Sequence, residues 1–393
     1  MIKNIDCIKG MQELEENSID AIVTDPPYGL GFMGKEWDSI KGFQKFNEEW
    51  GVAALRVLKP GGYALVFGGS RTYHRMVSGL EDAGFEVRDC IMWIYSSGFP
   101  KGLNISKGID KRLGVESPEA KQWEGWHTNL KPAYEPVAVL RKPLESSVVD
   151  AVLKYGTGGL NIDACRVPTA DDSYTNRHTL RKGPRFKTVY VTGKQYDEDK
   201  TWVVSGNDLG RFPANVILDE VAGDMLDEQS GEVNTSWGFN ADNLAPCSKD
   251  SSLFGFGGFP SSTHPTYNDK GGASRFFYCP KASTSERNAG CEDLVEQDGN
   301  ISAGPAGMSG TTKSKRNFHP TVKPVALMRY LVKLTCKPRG VVLDPFLGSG
   351  TTCMACKQEG MKCVGFEMEK EYYDIAAKRL AALSTVDMWE VKT

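Results

Sequence analysis

The chain has 393 residues, 40% of them hydrophobic and 25% charged, with a formal net charge of −3. Such a composition is globular, and the length suits two domains or one large domain carrying an insertion. It excludes a protein that attracts nucleic acid over its whole surface, so any such contact needs a local run of positive charge. No apolar run approaches the ~20 residues of a membrane span, and Met1-Ile2-Lys3 leads into polar sequence without the apolar core of a signal peptide. Ten cysteines follow no framework spacing, which reads as a reduced, cytoplasmic compartment. Cys353, Cys356 and Cys363 are the densest group. A zinc site would want a fourth ligand at matching spacing, and none follows, so no metal is expected and these are read as buried free thiols.

In chain order, residues 18–24 end in the apolar strand Ala21-Ile22-Val23, followed at once by Asp25-Pro26-Pro27-Tyr28. Two adjacent prolines lose both backbone donors and hold φ near −65°, a stiff ledge with carbonyls fixed in direction. It reads either as a plain strand terminator or as a built set of acceptors. Phe43, Phe46, Trp50, Ala53, Ala54, Val57 and Leu58 keep helical spacing, and Lys59-Pro60-Gly61-Gly62 is expected to end that helix. Residues 63–67 are a predicted strand. Tyr73, Met76, Val77 and Leu80 form a helix face that Gly84 closes, and 85–95 and 135–140 are further strands. This alternation predicts a doubly wound α/β sheet.

After about residue 150 the character changes. Residues up to about 317 are rich in Gly, Ser, Asn, Asp and Pro, with strand-like pieces such as 215–218, and 230–274 has almost no periodicity. So long an irregular stretch suits an insertion or a loop-rich second domain. Within it Arg177, Arg181, Lys182, Arg185 and Lys187 form a positive run without an acid. It is either a solvated loop or an arm that contacts phosphates. Lys313, Lys315 and Arg316 make a weaker cluster, and Trp37 and Trp93 are read as core residues or as walls of a base pocket.

The α/β pattern then returns. Val325, Met328, Leu331, Val332 and Thr335 share a helix face, 341–343 is a strand, 351–359 a helix, 363–366 a strand and 372–383 a helix. "VVLDPFLGSGTT" is strand, Gly-rich turn and helix: Gly348 and Gly350 permit close backbone approach, and Ser349, Thr351 and Thr352 can cap a helix end that attracts an anion. Glu367 follows at the end of the next strand, seventeen residues past Gly350, where a doubly wound fold holds ribose hydroxyls. A Gly-rich turn plus a downstream acid points to a nucleoside-containing cofactor. Its first strand lies late in the chain and the Asp25 ledge early, so one sheet containing both has a permuted order.

Together these residues resemble the DNA amino-methyltransferases that modify adenine N6 or cytosine N4, in the permuted subgroup with the catalytic motif first. "DCIKGMQELEENSIDAIVTDPPYG" is similar to the family's opening, "HPTVKPVALMRYLV" to the segment before the cofactor loop, "DPFLGSGTT" to that loop and "KPAYEPVAVLRKP" to a late sheet segment. "RFFYCPKASTSERNAG" is similar to stretches in phage-type members. The resemblance implies a Rossmann-like, mostly parallel sheet whose catalytic half is 1–149 and whose cofactor half is 318–393, with 150–317 inserted as a target-recognition region. It implies S-adenosylmethionine held by Asp6, Cys7, Asp25, Thr321, Lys323, Pro324, Asp344, Pro345, Phe346, Gly348, Ser349, Gly350, Thr351, Thr352 and Glu367. The catalytic ledge is then Asp25, Pro26, Pro27 and Tyr28, the target a base flipped out of double-stranded DNA, and the DNA-binding run the one at 176–187. In this family Asp in the first ledge position mostly accompanies adenine, so adenine N6 is expected over cytosine N4. RNA bases and a protein glutamine amide are rival substrates, and a non-catalytic nucleic-acid-binding subunit is the rival to an enzyme. A homodimer and a restriction partner are left open.

Overall fold

Apolar runs too short for helices become strands here, and runs with apolar residues three or four apart become helices. The computed structural model describes residues 1–31, 41–98, 102–168, 210–234, 270–280 and 321–383, the backbone of 179–182 and 201–204, and the single positions Ala289, Cys291, Asn317 and His319. Two units divide the chain. The larger is Met1–Cys165, Ala214–Ala222 and Cys279–Thr393, and the smaller is Arg166–Pro213 and Gly223–Tyr278.

In the larger unit eight strands form one sheet: β1 (Ile2–Asn4), β2 (Ile19–Thr24), β3 (Leu58–Phe67), β4 (Glu86–Ile94), β5 (Tyr134–Arg141), β6 (Val216–Leu218), β7 (Val341–Asp344) and β8 (Lys362–Glu367). Their order is β1-β8-β7-β2-β3-β5-β4-β6. Every neighbouring pair is parallel except those of β5, which runs against both β3 and β4. This is the α/β sheet the alternation predicts, mostly parallel as the resemblance implies. The helices packed on this sheet include α1 (Cys7–Gln12), α2 (Phe43–Val57), α3 (Tyr73–Asp82), α4 (Val325–Thr335), α5 (Thr351–Gln358) and α6 (Lys370–Ala382).

Alternation along the strands decides which side each residue serves. Ile22, Ala64, Val66, Leu343 and Phe366 join the core under α1, α2 and α3, with Trp50, Met76 and Leu80 from the helices. Ala21, Val23, Leu65 and Val342 alternate with them and are also wholly buried. Helix α5 packs against both α4 and α6, and α4 lies on β2 and β3. Both faces of the sheet centre are therefore covered, as a parallel sheet requires. Polar groups inside this core are paired: the Trp50 indole N–H donates to Asn47 Oδ1 at 3.0 Å, and Asn47 Nδ2 donates to the Phe43 carbonyl at 2.7 Å.

Some expectations change. The Lys59-Pro60-Gly61-Gly62 terminator is not a loop: α2 ends at Val57 and β3 begins at Leu58. The register jumps from Ile19↔Leu58 to Ala21↔Tyr63, so the extra residues make a bulge. The Gly61 N–H donates to Lys142 O, and the Lys142 N–H to Gly62 O, which fastens that bulge beyond β5. The expectation of free thiols fails at one pair. Cys353 at the start of α5 and Cys363 on β8 form a disulfide, their Cα atoms 5.3 Å apart because a helix packs directly on the strand that follows it. Cys356 is a buried free thiol. The sequence pattern did not single out β1, α1, or the helices Ile105–Leu113 and Val148–Tyr155.

Among its described residues the smaller unit has two antiparallel strand pairs, Thr179–Lys182 with Thr201–Val204 and Lys270–Gly271 with Val233–Asn234. Asp227 accepts from the Ser274 N–H at 2.7 Å and from its hydroxyl at 2.7 Å. Among the described residues no helix is long and apolar enough to cross a membrane.

Candidate active site

From the boundary between β7 and β2 the chain winds in opposite directions, through α2 to β3 on one side and through α5 to β8 on the other. Such a switch point leaves a crevice beyond the strand carboxyl ends. A cleft of about 1100 Å³ opens there, lined by the ledge, the Gly-rich turn and the start of β5. The two motifs, more than 300 residues apart, sit on paired strands, Ile22 beside Leu343, and are tied at the strand ends where Thr24 Oγ1 donates to Asp344 Oδ1 at 2.6 Å.

The ledge carries a tight polar group. Lys323 Nζ donates to Asp25 Oδ2 at 2.6 Å and to Glu135 Oε2 at 3.2 Å, and lies 3.3 Å from the Tyr28 hydroxyl. The Tyr28 hydroxyl is 2.7 Å from Asp25 Oδ1 and 2.9 Å from Glu135 Oε2. Burial raises the Asp25 pKa and Glu135 adds to that, while Lys323 opposes it. Burial works against the Lys323 charge, but Asp25 and Glu135 outweigh it and hold its pKa above the usual lysine range. Burial, with two carboxylates beside it, holds Tyr28 well above the ordinary phenol value, so it stays protonated. Thr72 Oγ1 donates to the Tyr28 carbonyl at 2.5 Å and fixes the ledge from the start of α3.

Across the cleft lies the turn from Asp344 to Thr352. Gly350 caps α5 at φ +83°, where a side chain is strained, and a Cβ there would sit 3.0 Å from Ala376 Cβ. Arg379 from α6, 1% exposed, donates through Nη1 to Ser349 O at 2.6 Å, Ser349 Oγ at 2.9 Å and Thr351 Oγ1 at 3.2 Å. Phe346 packs edge-on against Trp50, ring centroids 5.4 Å apart, so the turn leans on the core of α2. Glu367 accepts from the Gly348 N–H at 2.8 Å and from the Glu369 N–H at 2.8 Å. Burial raises the pKa of Glu367, and those two backbone donors oppose it. Burial pushes Asp344 up to about 6. Asp6 caps α1 by accepting from the Lys9 N–H at 3.1 Å, and Cys7, the next residue, is buried, its thiol pushed up to about 12.

Of the residues expected to hold a cofactor, Asp6, Cys7, Asp25, Thr321, Lys323, Asp344, Pro345, Phe346, Gly348, Ser349, Thr351, Thr352 and Glu367 line this cleft, as do Pro26, Pro27 and Tyr28 of the ledge. Pro324 and Gly350 stand just behind it as the caps of α4 and α5. Arg177, Arg185 and Lys187 lie outside the described residues, as do Trp37, Lys313, Lys315 and Arg316. Arg181 and Lys182 fall on the strand Thr179–Lys182, opposite Trp202 and Thr201. Trp93 lies on β4 against Tyr95, ring centroids 5.2 Å apart, and it is Tyr95 that reaches the cleft. Two residues escaped the sequence reading. Glu135 sits inside the quoted "KPAYEP" but has no local signal of its own. Arg379 lies three and four positions after Ala376 and Ile375, both buried, and that spacing places it on the inner helix face.

A nucleoside cofactor with a cationic centre fits what is present. Five carboxylates, Asp6, Asp25, Glu135, Asp344 and Glu367, face a cleft large enough for the cofactor and a base together. The left-handed Gly350 keeps the backbone open where a Cβ would crowd it.

A family model described as DNA methylase matches residues 19–378. The Type II methyltransferase M.HindIII of Haemophilus influenzae is 22% identical, over 96% of this chain and 94% of that protein. The Type II methyltransferase M.HpaI of Haemophilus parainfluenzae is 23% identical, over 95% of this chain and 71% of its own. Among solved structures, the PvuII DNA methyltransferase (cytosine-N4-specific) is 14% identical with a TM-score of 0.47, covering 98% of this chain and 86% of its own. The M1.HpyAVI–SAM complex is 17% identical with a TM-score of 0.40, covering 97% and 98%.

Proposed function

We propose that this chain, which belongs to the DNA methylase family, transfers a methyl group from S-adenosylmethionine to N6 of an adenine turned out of double-stranded DNA. The observation that carries the reading is the placement of the Asp25 ledge and the Gly-rich turn on one cleft at adjacent strand ends, joined through Thr24 and Asp344.

When bound, S-adenosylmethionine supplies an electrophilic methyl on a sulfonium. The chain's residues have three tasks. The turn from Asp344 to Thr352, with Asp6, Cys7 and Glu367, holds the cofactor against the core. Asp25 and the Pro26 carbonyl accept the N–H groups of the target amine. An exocyclic amine is a poor nucleophile because its lone pair is spread into the ring, and acceptors on its N–H groups favour the localised form. Preorganised acceptors of this kind do their work through alignment and electrostatics. Tyr28, its hydroxyl tied down by the polar group, offers a ring on which the flipped base stacks, worth ~1–3 kcal/mol.

The same reading makes 150–317 the target-recognition insertion between the catalytic half (1–149) and the cofactor half (318–393), in permuted order, in a cytoplasmic enzyme. The Type II relatives favour a restriction partner for it. Both amines need the same acceptors, so adenine rests on the Asp in the first ledge position. Mass spectrometry of nucleosides from DNA treated with the protein and cofactor is expected to show N6-methyladenine. N4-methylcytosine without it overturns the choice of base, and no methylated nucleoside overturns the reaction.

A further inference from the structure

Because β5 runs against its neighbours, its amino end lies at the edge where β2, β3 and β7 finish. Glu135 is thereby delivered to the ledge, where its Oε2 is 2.9 Å from the Tyr28 hydroxyl and 3.2 Å from Lys323 Nζ. Lys323 has three N–H donors and three oxygens within reach, those of Asp25, Glu135 and Tyr28. Tyr28 has one proton to offer two carboxylates. Two carboxylates thus share one ammonium, and the group retains one negative charge. For an ion pair alone, Asp25 and Lys323 would suffice.

We infer that Glu135 is a positioning residue for methyl transfer, acting through Lys323 and Tyr28 to keep surplus negative charge and a proton-accepting Asp25 at the target amine. This rests on the reading of function above. The step forms an N–C bond and breaks the S–C bond, whose electron pair stays on sulfur. The nitrogen is left with one proton too many, and Asp25 takes it before release to solvent. Positive charge therefore arrives at the amine and is met by a group that is net negative only because Glu135 is there. The groups that face Asp25 are Tyr28 on the ledge, Glu135 on β5, Lys323 ahead of α4 and Asp344 at the end of β7, with Tyr95 beyond Glu135. Glu135 is the acid among them that reaches both Tyr28 and Lys323.

The test compares E135Q, Glu135→Asp and Lys323→Met with wild type in protein carrying ¹³C-carboxyl aspartate. The Asp25 resonance is identified by its loss in Asp25→Asn. In E135Q its titration midpoint is expected to fall by at least about half a pH unit, since a neighbouring like charge is gone. In Lys323→Met, where the carboxylates lose their shared cation, it is expected to rise. The acidic limb of kcat should move the same way in each variant. E135Q should lose about 10–100-fold in kcat with KM for DNA and cofactor nearly unchanged. Glu135→Asp, which keeps the charge, should restore the midpoint and most of kcat. An E135Q midpoint that stays or rises, or a Glu135→Asp as slow as E135Q, overturns the inference. Absence of methylation by wild type would remove the reading of function, and the carboxyl midpoints would still decide whether Glu135 shares Lys323 with Asp25 and sets its charge. Should E135Q fail to fold, an unmoved midpoint in Lys323→Met overturns the shared-charge arrangement.

Discussion

Asp25 is the residue on which the proposed chemistry turns, and its surroundings set what its loss should do. Its carboxylate already receives Lys323 and Tyr28, and it belongs to the ledge and not to the Gly-rich turn. Asp25→Ala is therefore expected to lower the transfer rate by at least ~10²–10³-fold, the size of losing one preorganised polar group. Cofactor affinity, measured by calorimetry, should fall far less than the rate. Asp344 makes a pH prediction. Burial lifts its pKa to about 6, with hydrogen bonds from Thr24, Thr352 and the Phe346 N–H pulling the other way. In the unfolded chain an aspartate titrates near 3.9, so the folded state holds this proton more tightly. The resulting stability, on the order of 2–3 kcal/mol, is complete below pH ~3.9 and is lost as pH rises through about 6. A cationic ligand in the cleft reverses the preference, because it favours the carboxylate. S-adenosylmethionine should bind about tenfold more weakly at pH 5 than at pH 7, and Asp344→Asn should flatten that dependence. Equal affinity at both pH values would show that Asp344 stays ionised throughout.

Elements bring these residues together through packing as well as through motif. Helices α2 and α3 approach so closely at Gly79 that a Cβ there would lie 2.3 Å from the Gln44 carbonyl and 3.1 Å from the Glu48 nitrogen. Both neighbours are backbone atoms, which no rotamer change relieves. Gly79→Ala should gain up to ~1 kcal/mol of helix propensity and still lose ~1–3 kcal/mol overall from overpacking. A lower denaturation midpoint for that variant checks it, and a rise would mean the helices separate freely. The same distinction explains what the sequence made legible. The strand, Gly turn and helix from Val341 to Gln358 are announced by local chemistry, as are the apolar stripe of α4 and the Gly84 end of α3. Glu135 and Arg379 are not, because each acquires its role from partners far along the chain. Glu135 meets Tyr28 across 107 residues, and Arg379 meets Ser349 across 30. Nothing near residue 135 says that β5 runs backwards, and that reversal is what brings the acid to the ledge. The bulge at Pro60-Gly61-Gly62 is similar: the residues say turn, and pairing with β2 and Lys142 absorbs them into a strand.

At the scale of the whole molecule, charge poses a problem for a DNA-modifying enzyme. The chain carries 47 Lys and Arg against 50 Asp and Glu, and the cleft itself sets five carboxylates against Lys41, Arg71, Lys131 and Lys323. With the two signs nearly balanced, such a cleft offers little net positive charge to backbone phosphates. Affinity for duplex DNA comes mostly from phosphate neutralisation, so the positive charge must be concentrated elsewhere. The run from 176 to 187 has Arg177, Arg181, Lys182, Arg185 and Lys187 without an acid, and it falls within the proposed recognition region. Reversing charge at Arg181, Lys182 and Arg185 should weaken DNA binding and leave cofactor binding intact. Each phosphate that is no longer neutralised lowers the slope of log affinity against log salt by about 0.9, so three of them should change it by roughly 2 to 3. Phosphate contacts set position and carry no base information, so the preferred sequence should stay the same. Binding titrations at several salt concentrations separate the cases. A slope unchanged within error makes the run a solvated segment, and the phosphate contacts then belong to other basic residues, of which Lys313, Lys315 and Arg316 are the next to reverse.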